Sequence, residues 1–348
     1  MSYFRPSIEA MEGYTPGEQP EDPSVIKLNT NENPYPPSPR VMDAIARIRP
    51  DQLRRYPEPR GNLFRDAAAR LFGVHREQVI CGNGMDDILN MTVRAFSGPE
   101  AALVYPTPTY TLYGVLAAIE ASIVKEVPFP ADFGLPIEGL VAARGRVTYL
   151  ANPNSPTGTF VPVEQVGRLA DALEGVLCVD EAYVDFADSD CLELARSRPN
   201  VLVMRTLSKG YSLAGLRFGF AIGSAELIRG LMKVKDSYNV DAVAIPAATA
   251  AIEDQGYRDQ TRQKVITERN RVTAALERLG LPSLPSASNF LLTTAGRPRA
   301  AELYESLKQR RILVRYFNIP GIDDKLRITI GTPEQNDALI EALIDLCR

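Results

Sequence analysis

Lys209 stands in the run RTLSKGYSLAGLRFGF, residues 205–220, among small and apolar neighbours. Burial disfavours the charged form of an amine, so a lysine in apolar surroundings is expected to have a lowered pKa. Such an amine is a nucleophile suited to Schiff-base chemistry with an aldehyde. Thr206 and Ser208 place hydroxyls just before it, and Arg217 follows eight residues on. Hydroxyls with a guanidinium suit a phosphate. An aldehyde and a phosphate on one ligand suggest pyridoxal 5'-phosphate. The plainer reading of the run is a strand, a glycine-broken turn and a surface lysine, but surface lysines usually stand among polar residues.

A pyridine ring acts as an electron sink while its nitrogen stays protonated, and a buried carboxylate beside it favours that form. Asp180 closes the apolar run 176–179 and fits this need. The competing reading, a turn cap, does not require an apolar approach strand. Tyr183 lies three residues on and can meet a phenolic oxygen, or it is a core tyrosine. Tyr110, at a helix start, can stack on a ring or staple the helix. GNGMDD, residues 82–87, joins a strand to a helix. Backbone N–H groups around Gly84 and Met85 can hold an anion there. Equally, Asp86 and Asp87 can simply favour the helix dipole.

These residues need a scaffold that brings them to one edge. Strands are expected at 79–81, 101–105, 123–127, 147–150, 176–179, 201–204 and 218–222, with helices at 63–72, 88–96 and 163–173. Several strands are apolar throughout, as in a parallel sheet covered on both faces. The polar groups gather just after strand C-termini, where open α/β sheets bind ligands. The fold class is therefore α/β: a large unit with a mostly parallel sheet covered by helices, plus a smaller α/β unit. Past Gly223 the pattern turns helical, near 225–234 and again over 257–279. Residues 282–348 alternate strand and helix. Residues 1–37 read as a proline-stiffened arm that carries Tyr14 and Tyr35 and packs on something, a partner subunit being one option. Ser38 caps a helix expected to run through Arg49.

The chain has 348 residues, of which 45% are hydrophobic, enough for one large domain or two joined ones. Its net charge of −4 argues against nucleic-acid binding. No apolar run approaches a membrane span, and the first residues do not read as a signal peptide. Cys81, Cys178, Cys191 and Cys347 show no paired short spacing, so a reduced, cytoplasmic protein is expected. His75 is the only histidine. That excludes a multi-histidine metal site within one chain and turns acid–base work toward lysine, tyrosine or a carboxylate.

The segments NENPYPPSP, RYPEPRGN, GNGMDD, PTPTY, NPNSPTG, DEAYVDF, RTLSKGYSLAGLRFGF and LRITIGTPEQN, in this order, resemble the histidinol-phosphate aminotransferases, which are fold type I pyridoxal-phosphate enzymes. The resemblance spans nearly the whole chain. It implies an N-terminal arm and part of a small domain at 1–50, a large cofactor domain at 51–255 and a C-terminal small domain at 256–348. It implies that Lys209 carries the cofactor as a Schiff base and shuttles a proton, that Asp180 pairs with the ring nitrogen, and that Tyr183 meets the phenolic oxygen. Tyr110 is implied to stack on the ring. Thr206, Ser208 and Arg217 are implied to bind the cofactor phosphate, with Gly84, Met85 and Asp86 closing that pocket and Tyr56 reaching it across a dimer interface. The family usually has Asn just before Pro-Thr-Gly; this chain has Ser155 there and Asn154 before it, so either can contact the phenolic oxygen.

For the substrate, a dianionic phosphate is better held by two cations than by one. Arg315 in ILVRYF and Arg327 in KLRITI offer them, although Arg315 beside Arg310 and Arg311 can also be a surface charge. Tyr14, Asn33 and Tyr238 resemble the family's substrate contacts, Tyr238 coming from the partner subunit. The expectation is a homodimer with shared active sites. It moves an amino group between histidinol phosphate and 2-oxoglutarate, a small-molecule donor and a 2-oxo acid acceptor. The rivals are an aromatic amino-acid aminotransferase and a threonine-phosphate decarboxylase of the same fold. Outside that chemistry stand a dinucleotide-binding protein using GNGMDD and a non-catalytic regulator, for which no basic helix-turn-helix is present.

Overall fold

Apolar runs too short for helices pair side by side in the computed structural model, which describes residues 2–347. The strands are β1 (Ile26–Lys27), β2 (Val79–Asn83), β3 (Leu103–Thr107), β4 (Val124–Pro128), β5 (Val147–Ala151), β6 (Val176–Asp180), β7 (Val201–Thr206), β8 (Phe218–Gly223), β9 (Phe290–Thr294), β10 (Ile312–Leu313), β11 (Arg315–Tyr316) and β12 (Lys325–Thr329). The helices are α1 (Pro6–Ala10), α2 (Pro39–Ala46), α3 (Pro50–Leu53), α4 (Asn62–Phe72), α5 (Met85–Phe96), α6 (Leu112–Ile119), α7 (Ile137–Ala142), α8 (Val163–Ala172), α9 (Leu192–Ser197), α10 (Ala225–Leu231), α11 (Ala244–Ile252), α12 (Gln255–Arg278), α13 (Ala300–Gln309) and α14 (Pro333–Leu346).

The large sheet has seven strands in the order β2-β8-β7-β6-β5-β3-β4. Its neighbours are parallel except at β8, which runs antiparallel to both β7 and β2. The chain between β7 and β8 explains the reversal: residues 207–217 are too few for the crossover that a parallel return needs. One face packs Phe64, Phe218, Phe220 and Val203. The other packs Ile88, Tyr113, Tyr149 and Met204. With both faces covered, the central strands are apolar throughout, and β8 is buried at every position.

The smaller unit is an antiparallel sheet, β11-β12-β9, lined by α12, α13 and α14. The arm returns to it: β1 pairs in parallel with β10, and Leu28 enters the core with Ile312, Leu326 and Ile328. The arm therefore packs on its own chain along this stretch. No helix among the described residues is long and apolar enough to cross a membrane.

Some boundaries depart from the sequence reading. The helix expected from Ser38 through Arg49 stops at Ala46, and the chain restarts as α3 with Pro50 in its first turn. Arg49 is extended, at φ −93° and ψ 150°, because a residue before proline is disfavoured in the helical region. Helix α11, AIPAATAAI, is apolar on nearly every side and buried, so it has no periodicity to read.

Glycine at 219 is required by a close approach. A Cβ there would lie 2.4 Å from the Met85 nitrogen and 2.6 Å from the Gly84 carbon. That contact sets the start of α5 at the C-terminal edge of the sheet. Gly219→Ala is expected to lower the unfolding free energy by about 1–3 kcal/mol, the usual cost of overpacking, measured by urea denaturation.

Candidate active site

One cavity opens where the C-terminal edge of the large sheet meets the arm and the small unit. The sheet side supplies Met85 and Asp86, residues 108–111, Ala151, Pro153, Ser155, Asp180, Tyr183, Thr206, Ser208, Lys209 and Arg217. The arm supplies Tyr14, Gly17 and residues 29–32, and the small unit supplies Arg315, Phe317 and Arg327. Five strand ends and two further segments thus converge.

Asp180 forms the floor. It ends β6 and is 3% exposed. Its Oδ1 accepts from the Ala182 N–H at 3.0 Å and its Oδ2 from the Tyr113 hydroxyl at 2.5 Å. Burial pushes the carboxyl up to about 6, against the pull of those two hydrogen bonds. Its neighbour Glu181 points the other way, to Arg205 of β7 at 2.7 Å. That buried ion pair ties the two strand ends together beneath the site.

Lys209 is half-buried rather than enclosed by apolar groups. The arm folds over it, so Nζ donates to the Thr30 carbonyl at 3.0 Å and lies 5.7 Å from the centre of the Tyr183 ring. The apolar surroundings expected from its sequence neighbours are therefore corrected by a non-local carbonyl. Asn33 does not line the cavity; its amide donates to the Lys209 carbonyl at 3.2 Å. The Tyr183 hydroxyl accepts from the Asn31 amide at 2.9 Å.

An anion cradle lies opposite. Thr206 donates to Ser208 at 2.9 Å, and Arg217 reaches Ser208 at 3.5 Å and Asp86 at 3.1 Å. Helix α5 starts at Met85, so its free N–H groups open here. Gly84 has φ +80°, and a Cβ would come within 2.6 Å of the Arg217 guanidinium. Arg217 itself takes the left-handed region at φ 54°, which costs on the order of 1 kcal/mol and aims its side chain at the cradle. Tyr110 stands above, edge-on to Tyr14 at 6.0 Å and to Tyr113 at 5.7 Å.

The small unit contributes two arginines. Arg315 and Arg327 are directly paired across β11 and β12. Arg327 donates to the Asn29 carbonyl at 2.9 Å and to Ser155 Oγ at 3.2 Å, while its Nε is buried without a partner. Phe290 and Phe317 each lie 5.3 Å from its guanidinium carbon. Burial pulls its pKa below the usual arginine value.

The overall match to known proteins follows this geometry. The family model for aminotransferase class I and II matches residues 23–343. A histidinol-phosphate aminotransferase of Nostoc sp. is 51% identical over 346 residues, 99% of this chain and 98% of that protein. The chain belongs to the class I and II aminotransferases. The crystal structure of a histidinol-phosphate aminotransferase from Sinorhizobium meliloti in complex with pyridoxal-5'-phosphate superposes with a TM-score of 0.90 at 28% identity, covering 100% of this chain and 98% of that one. An L-threonine-O-3-phosphate decarboxylase from Porphyromonas gingivalis, with a TM-score of 0.81 at 23% identity over 92% of this chain and 99% of its own, shows the shared fold alone.

In this aminotransferase, three expected site residues besides Asn33 lie away from the cavity. Tyr56 is 81% exposed and stacks on Tyr238, with ring centres 4.4 Å apart and planes 14° apart. Within one chain this surface pair does not line the cavity. Asn154 is buried, and its amide donates to the Pro108 carbonyl and to Thr157, while its oxygen accepts from Thr109 at 2.8 Å. Ser155, not Asn154, lines the cavity. Two contributors were missed in the sequence. Tyr113 sits in the first turn of α6, and Tyr110 just ahead of that helix meets its ring edge-on. Asn31 is set by a left-handed backbone at φ 56° in the NTNENP turn.

Asp180 makes stability depend on pH in the ligand-free protein. Its folded pKa, about 6, lies above the ordinary 3.8, so between these values the folded chain keeps a proton that the unfolded chain has lost. Stability from this group is present at low pH and is lost as pH rises through 6, by roughly 3 kcal/mol in all. Measured by urea denaturation from pH 5 to 7.5, wild type is expected to lose about 1 kcal/mol relative to Asp180→Asn.

Proposed function

We propose that this aminotransferase uses pyridoxal 5'-phosphate to exchange an amino group between histidinol phosphate and 2-oxoglutarate. The carrying observation is the Arg315–Arg327 pair. Like charges directly across two strands are destabilising. Among the described residues no carboxylate pairs with either, and one Arg327 N–H lacks a partner. An anion between them relieves both costs, and a phosphate of charge about −1.5 to −2 does so better than a carboxylate. The Nostoc and Sinorhizobium relatives support the same substrate.

The residues present fit the cofactor. Asp180 is a buried, acceptor-only carboxylate facing the cavity, suited to hold a pyridine nitrogen protonated. Thr206, Ser208, Arg217 and the N–H groups of Met85 and Asp86 would hold its phosphate. Tyr110 would cover the ring, and Tyr183 with Ser155 would meet its phenolic oxygen. Bound there, the cofactor supplies a carbonyl for the amino group and a ring that withdraws electrons from the substrate carbon. Lys209 Nζ would hold the cofactor by its carbonyl carbon and would take up and return the proton of the amino-bearing carbon. Arg315, Arg327 and Tyr14 orient the substrate by its anion, with Asn33 fixing the Lys209 backbone. Tyr14 and the arm keep bulk water from the mouth.

We further propose a cytoplasmic homodimer with shared sites. The Tyr56–Tyr238 stack is exposed, and Met42, Leu53 and Leu63 are exposed too, an apolar collection that suits a second copy. The four cysteines are free, which suits a reducing compartment. The three units of the sequence reading, 1–50, 51–255 and 256–348, remain our proposed division.

A donor panel with 2-oxoglutarate tests the substrate: histidinol phosphate is expected to turn over far faster than phenylalanine, without release of CO2 from threonine phosphate. Phenylalanine as the best donor overturns the reading. Arg327→Ala is expected to raise KM for histidinol phosphate by roughly 10- to 100-fold, the loss of charge-assisted hydrogen bonds. For the shared site, Lys209→Ala chains mixed with Tyr56→Ala/Tyr238→Ala chains are expected to regain activity, since each mixed dimer holds one intact site. Activity equal to the sum of the separate variants overturns the sharing.

A further inference from the structure

We propose that Tyr113 is a positioning residue whose hydroxyl fixes the direction and the charge of the Asp180 carboxylate. The inference rests on the pyridoxal-phosphate reading above and deepens it. An ionised carboxylate only accepts hydrogen bonds, and a neutral phenol beside it can only donate to it. Asp180 has one donor per oxygen, the Ala182 N–H on Oδ1 and the Tyr113 hydroxyl on Oδ2. Tyr113 is fully buried, and Asp180 is its hydroxyl's one partner among the described residues.

The phenol cannot turn away. Its ring meets Tyr149 at 4.9 Å, Tyr110 at 5.7 Å and Tyr105 at 5.8 Å, each in an edge contact. No neighbour can take its place either. The Tyr149 hydroxyl is tied to Thr92 at 2.6 Å and to the Leu89 carbonyl at 3.2 Å. The other titratable groups turned toward Asp180 are Asp86 at the start of α5, Cys178 on its own strand, and Tyr183 and Lys209 at the cavity wall. Asp86 repels the carboxylate charge, and buried Cys178 is a neutral thiol. Without the Tyr113 hydroxyl, Oδ2 therefore has no protein donor, and the carboxyl keeps its proton to higher pH. A neutral Asp180 holds a pyridinium poorly.

The test is equilibrium binding of pyridoxal 5'-phosphate to cofactor-free full-length protein, followed by absorbance across pH. Wild type is expected to lose affinity on the acid side, and Asp180→Asn to lack that acid limb. Tyr113→Phe is expected to move the limb up by about one to two pH units, with affinity near pH 9 within about twofold of wild type. 3-Fluorotyrosine at position 113 keeps the shape, donates more strongly and is expected to move the limb down; it serves if Tyr113→Phe does not fold. A limb at the wild-type pH in the variants, or one uniform loss of affinity at every pH, overturns the role of Tyr113 and leaves the cofactor reading standing. Absence of binding to wild type, or an unchanged limb in Asp180→Asn, overturns the cofactor reading and this inference with it.

Discussion

Burying the Asp180 carboxylate costs folding free energy, and the cavity is built around offsetting that cost. Strand β6 approaches through Leu177, Cys178 and Val179, all fully desolvated. The charge is left only 3% exposed, on the side that faces the cavity. Two hydrogen bonds reduce the cost without removing it, since the carboxyl is still held near 6. A cation placed on the cavity side completes the balance. On our proposed reading that cation is the protonated ring of the cofactor, which the carboxylate beside it keeps electron-poor.

The arm closes the arrangement from the other side. Its residues 26–27 add a strand to the small unit, while residues 30–33 reach Lys209 and Tyr183. Asn31 also accepts from Thr329 of β12 and from Asn289 ahead of β9, through its side-chain and backbone oxygens. One asparagine therefore links the Tyr183 hydroxyl to the sheet that carries Arg327. These static contacts join the small unit to the Tyr183 side of the cavity.

How far such features can be read from a sequence depends on what carries them. Asp180 and Lys209 were legible because residue type and position coincide: a polar residue at the end of an apolar strand is visible in one dimension. The mostly parallel sheet was legible for the same reason. The Thr30 carbonyl on Lys209 was not, because a backbone atom has no residue type. Ser155 and Asn154 differ by the backbone path of NPNSPTG, which hydrogen bonds within the turn decide. Tyr113 was hidden in plain composition, an aromatic in the apolar stretch LYGVLAAI whose hydroxyl matters only once β6 lies beneath it. Helix α11 escaped because a fully buried helix has no polar face to mark a period.

The two arginines show how substrate choice can be stored as strain in charge rather than in shape. Antiparallel register places Arg315 opposite Arg327, and Phe290 and Phe317 shield the latter from water. A single carboxylate can satisfy one guanidinium by a paired hydrogen bond and leaves the other facing a like charge. A phosphate has three terminal oxygens and nearly two charges, so it can meet both. The preference follows from electrostatic arithmetic and does not need a tight fit.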